Sequence, residues 1–83
     1  MNWRMHHLRR MATTAWAKAD IARDAANECF VQSRLQIRTK DRERETRLVA
    51  ECDRWKRIEA RLIRFGRTCH AEACRIANAD QCA

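Results

Sequence analysis

Small and apolar residues recur through the first part of the chain at Met5, Leu8, Ala12, Ala15, Ala19, Ala22, Ala26, Cys29 and Ser33, in steps alternating three and four. That spacing holds them on one face of a helix, as a heptad seam. Because most of its members are Ala, a partner helix can approach more closely than over a Leu seam, with Met11, Trp16 and Phe30 supplying bulk beside it. A second seam starts at Leu48 and passes through Cys52, Trp55, Ile58, Leu62, Phe65, Cys69, Ala73 and Ile76. Residues 38–47 between them, RTKDRERETR, are polar on every face.

The pattern predicts an all-α fold: helix 1 over about 3–37, a turn near 38–41 and helix 2 over about 41–65. Asn2 and Thr39 are the predicted N-caps, since their side-chain oxygens can accept an orphan amide, with Asp41 in the first turn of helix 2. Gly66 either ends helix 2, leaving a short third helix over about 68–80 capped by Thr68, or lies inside a continuous one. The polar segment could also be crossed by one uninterrupted helix. An antiparallel hairpin is favoured, because a lone long helix would leave both seams exposed. Folding back near residues 40 and 41 brings Cys29 level with Cys52, Leu8 with Ala73, and Trp16 with Phe65 and Gly66, so the lone Gly makes room for an indole. A single hairpin covers one face of each helix, and dimerisation into a four-helix bundle is therefore expected.

Composition adds a charge layout. The 83 residues form a single domain with a net charge of +7, five Cys, one Gly and no Pro, which argues against a turn-rich β fold. Residues 34–47 and 48–68 each carry a net +3, so the charge belongs to the turn and helix 2. Arg47, Arg54 and Arg61 recur every seven residues, with Arg57 and Arg64 close by on the helical wheel. They form one stripe that is either a docking face for phosphates or acidic protein, or a solvated flank neutralised by the interleaved Glu43, Glu45, Glu51, Asp53 and Glu59. Trp16 and Trp55 read as core. Trp3, flanked by Arg4, reads as a partner-binding position, because Trp and Arg dominate the energetic centres of interfaces.

Residues 1–19 have the basic, acid-free composition of a transit peptide, but the helical period runs through them unbroken. With no transmembrane or secretory stretch, a cytoplasmic location and reduced thiols are expected. Cys29 and Cys52 are then candidates for a cross-hairpin disulfide or, more simply, two buried thiols. His7, His70, Cys74 and Cys82 are candidate zinc ligands, His70 and Cys74 being one helical turn apart. No catalytic constellation emerges: adjacent helical residues such as Cys69 and His70 point about 100° apart, and no phosphate-cradling loop or nucleophile elbow is present. No cofactor is called for by any motif.

The expected function is that of a small non-catalytic interaction protein, a homodimer binding an acidic surface of a larger protein or nucleoprotein complex and so inhibiting or bridging it. It resembles, in type only, phage and mobile-element inhibitors of host machinery, such as anti-CRISPR proteins or transcription regulators; no residue motif carries that likeness. The alternatives are a nucleic-acid-binding hairpin dimer and a zinc- or redox-responsive helical switch.

Overall fold

The computed structural model describes residues 2–82, apart from the side chains of residues 38, 39 and 80–82. The two seams fold as two helices, α1 (Trp3–Thr39) and α2 (Arg42–Cys82), packed antiparallel as a hairpin whose Cα trace measures 65 × 13 × 12 Å. Asn2 caps α1 as expected: its Oδ1 accepts the backbone N–H groups of Arg4 at 3.1 Å and Met5 at 3.3 Å. The expectation at Thr39 is corrected. Thr39 is the last residue of α1, and Asp41 caps α2, its Oδ1 accepting the N–H of Arg44 at 3.1 Å while its carbonyl accepts that of Glu45 at 3.0 Å. The chain reverses within Lys40 and Asp41, which places the cap of α2 at Asp41, and Glu43 and Glu45 supply the favourable negative charge of the first turn.

The reversal depends on Lys40, whose φ of 59° and ψ of 23° are left-handed. An L residue pays for that conformation and glycine does not, although glycine loses more freedom on folding. Lys40→Gly is accordingly expected to stabilise the hairpin by about 0.5–1 kcal/mol, read as a higher urea midpoint at unchanged slope. An unchanged or lower midpoint would show that the turn carries no such strain.

Small side chains make the core. The buried residues of α1 are Ala12, Ala15, Ala19, Ala22, Ala26 and Ser33; those of α2 are Cys52, Gly66, Cys69 and Ala73. Ser33 is satisfied locally, its Oγ donating to the carbonyl of Phe30 at 2.7 Å. Among the described residues no large side chain is fully buried.

The second seam differs from its expected course. Phe65 is 47 % exposed, and its neighbour Gly66 is buried in its place. The buried residues of α2, Cys52, Gly66, Cys69 and Ala73, fall on a line of alternating three- and four-residue steps with the half-buried Trp55, Glu59 and Leu62. The cause lies across the hairpin. The indole of Trp16 covers Gly66 so closely that a Cβ there would stand 2.7 Å from Cδ1 and 2.9 Å from Cε2, with Nε1 nearer still. Trp16 itself is 37 % exposed, so it roofs the seam rather than filling it, and Trp55 is half-buried.

Gly66 neither ends α2 nor precedes a third helix; the helix continues through it to Cys82. Thr68, the cap expected for that third helix, donates its hydroxyl to the carbonyl of Arg64 at 3.0 Å, the back-bond of a mid-helix threonine.

Candidate protein-interaction site

The alternating steps of the true α2 seam set what faces outward. Arg54 and Arg61 lie two residues after the seam positions Cys52 and Glu59, Arg57 and Arg64 lie two after Trp55 and Leu62, and Arg47 is seven before Arg54. All five are exposed, turned away from α1. The neutralised-flank alternative required the interleaved carboxylates to pair with them. Glu43 and Asp53 precede Arg47 and Arg57 by one helical turn, yet among the described residues no carboxylate lies within ion-pair distance of any of the five. The stripe is a row of five free guanidinium groups, each offering a planar fork to carboxylate or phosphate.

Trp3 and Arg4 separate. Trp3 is 75 % exposed, with the ring of His7 beside it at a centroid distance of 6.2 Å. Arg4 instead reaches across the hairpin to Glu72 at 3.9 Å. Glu72 also receives Arg75, whose hydrogen bond, with the charges of Arg75 and Arg4, holds its carboxyl below the usual carboxylate range. Arg4 thus ties the start of α1 to α2, on the side of the hairpin opposite Trp16.

The cysteines and histidines gather only in part. Cys29 and Cys52 are both free thiols, the first half-buried and the second buried, and no bond joins them. Burial, followed by the charges of Glu51, Cys52 and Glu28, pushes the Cys29 thiol up, making it a weak nucleophile at neutral pH. His70 Nε2 and Cys74 Sγ meet at 3.5 Å, and the His70 ring also rests against Trp16 at 5.7 Å. His7 is on the other flank with Trp3, and the Cys82 side chain lies outside the described residues. Among the described residues no three potential ligands converge on one point, so the predicted zinc set is not assembled there.

Two grooves follow the flanks of the hairpin, and neither was foreseen. The first, of about 350 Å³, has Met11, Leu62 and Phe65 as its floor and His7, Arg10 and Lys18 on its rim. Its signal in the sequence is the run His7, Arg10, Met11, Thr14 and Lys18, one flank of α1 at helical spacing. The second, of about 320 Å³, lies near the turn on the opposite flank, between Phe30 and Ile37 of α1 and Val49 of α2. Its charges are balanced, with Arg34 and Lys56 facing Glu45 and Asp53. Toward the turn end of the hairpin Phe30, Val31, Leu35, Ile37 and Val49 are each 46–54 % exposed.

Fold and surface together define an all-α helical hairpin, small-residue inside, that carries its cations and bulky apolar groups outward. Over the described residues neither helix is long and apolar enough to cross a membrane. The chain matches no family model, no curated protein and no solved structure.

Proposed function

We propose that the protein is a non-catalytic interaction protein that binds an acidic surface on a larger protein or nucleoprotein complex, inhibiting or bridging it, with Arg47, Arg54, Arg57, Arg61 and Arg64 as the contact row. The observation that carries this reading is the absence of ion-pair partners for all five among the described residues. Unpaired arginines bring no internal stabilisation and repel one another, so their alignment on one outward face suits a partner that supplies the negative charge. A hairpin that presents its cations and bulky apolar groups outward suits an inhibitor that acts by occupying a partner's surface, of the phage or mobile-element kind.

The working unit is a homodimer. Support comes from the thin core and the apolar surface at the turn end, which a monomer would leave in water. The balanced charges of the second groove suit a second copy, since a two-fold arrangement sets Arg34 and Lys56 of each chain against Glu45 and Asp53 of the other. Four helices then meet at that end, and the arginine row stays free.

Phosphates would satisfy the same arginines, which makes nucleic acid the competing partner. The experiment is affinity capture from the source cell with the full chain and with its R54E/R57E/R61E variant, before and after nuclease treatment, read by mass spectrometry. An acidic protein that survives nuclease and is weakened at least about tenfold by the charge reversal is the expected result. Recovery of nucleic acid alone, or an unaffected triple variant, overturns the reading.

A further inference from the structure

The first groove has a chemistry that the arginine row alone does not explain. Phe65, displaced from the seam by Gly66, projects beside Leu62 and meets Met11 of α1 to form an apolar floor. The strip is longer than the cavity. Ile21 is seven residues beyond Thr14, which is itself seven beyond His7; the latter two line the groove, and Ile21 continues their line at 66 % exposure. On α2, Ile58 is seven residues before Phe65 and half-buried. From His7 to Ile21 the strip runs about 21 Å, or four helical turns. Its rim on α1 is basic, with Arg10 and Lys18; on α2 the exposed Arg61 stands one helical turn before Phe65, with Arg54 a further two turns along. No acidic side chain lines the cavity.

We infer that this groove is the docking site for an amphipathic α-helix of the partner protein, one with an apolar stripe of about four turns flanked by Asp or Glu. The inference rests on the acidic-partner reading above and deepens it by naming the partner's secondary structure and the surface that receives it. Two antiparallel helices with an open, apolar-floored furrow between them accept a third helix as a coiled coil does, its side chains entering between Met11, Leu62 and Phe65. Charge selects the occupant. A second copy of this chain would bring its own bases against Arg10, Lys18 and Arg61, whereas acidic residues flanking an apolar stripe complement all three. Docking there also engages the arginine row from its Arg54 and Arg61 edge, so one bound helix uses both features.

The test uses the intact protein and three fluorescein-labelled peptides of about six helical turns. One has Leu and Ile at heptad seam positions and Glu elsewhere, the second is its scrambled isomer, and the third replaces Glu with Lys. Fluorescence anisotropy is expected to show the acidic amphipathic peptide binding at least tenfold more tightly than its scramble, with no binding of the Lys peptide. Phe65→Ala, whose helicity is checked by circular dichroism, is expected to erase that tenfold preference and leave the scramble's weak binding unchanged. Lys18→Glu, at an exposed site outside the seam, is expected to weaken the amphipathic peptide about threefold or more, so the inference remains testable if Phe65→Ala unfolds. Equal binding of the two acidic peptides, indifferent to Phe65→Ala, overturns the groove and leaves the acidic-partner reading standing. Binding of neither peptide, with an RNA duplex bound, overturns both. Displacement of the amphipathic peptide by oleate at lower concentration assigns the groove to an anionic lipid and overturns the helix as its occupant.

Discussion

Ala22→Leu is expected to unfold the hairpin at ordinary temperature. Ala22 is 1 % exposed at the middle of a seam whose buried members on α1 are all Ala apart from Ser33. A leucine there has no space unless the helices separate, and separation breaks the contacts of Ala19 and Ala26 on either side. Overpacking of this kind costs about 3 kcal/mol. A chain with so thin a core has only a few kcal/mol in reserve, so the loss is near the whole of its stability. Circular dichroism during heating checks this, with Ala17→Leu as control: Ala17 is exposed on the same helix, and leucine there is expected to leave the transition in place. Equal melting of the two variants would mean that the helices do not rely on the alanine face for their contact.

Gly66→Ala is the second large effect, and its sign is opposite to that of intrinsic preference. In an open helix the change gains about 1 kcal/mol. Here the new methyl group meets the indole of Trp16, with three ring atoms inside van der Waals contact, and a flat bicyclic ring cannot flex away as a long aliphatic chain can. Trp16 must swing outward and expose the surface it now buries, a loss of about 2 kcal/mol on the scale of large apolar side chains. The net expectation is destabilisation by about 1 kcal/mol, and by more for Gly66→Val, whose branch has nowhere to go. The decisive measurement is a double-mutant cycle in urea. In a Trp16→Ala background Gly66→Ala is expected to become stabilising by about 1 kcal/mol, a coupling of about 2 kcal/mol between the sites. Additive effects would show that the indole does not rest on this glycine.

These two positions also show how far one-dimensional reading reaches. The pairing of Trp16 with Gly66 was legible because a turn near residues 40 and 41 brings them level, and a glycine opposite the bulkiest side chain has a steric reason. Hydrophobicity marks Phe65 as a seam residue, yet its neighbour Gly66 holds the packed position. Where the facing wall carries the Trp16 indole, the packed position is the one without a side chain, Gly66, and the bulk of Phe65 is pushed to the flank. Thr39 and Asp41 are both good caps, and only the length of the turn chooses between them. Gly66 is both a stop signal and a close-packing device, and the indole above it explains why the helix passes through.

The candidate site divides in the same way. The arginine row was legible as a period of seven, since charge type and helical phase are written in the chain itself. Whether Glu43 and Asp53 neutralise it was not, because an ion pair depends on side-chain directions that spacing alone leaves open. The first groove was invisible for a related reason: its floor comes from Met11 on one helix and Leu62 and Phe65 on the other, residues that no local window contains.

Two amphipathic helices, a turn near residue 40, a cap at Asn2 and a basic middle all follow from local periodicity and composition, where neighbours within one or two turns dictate the outcome. The packed identity of residue 66, the exposure of Phe65 and the basic-rimmed furrow arise only when α1 lies against α2. Each is a matter of what stands across the gap, and complementarity of shape and charge between distant segments has no counterpart in the order of residues along either one.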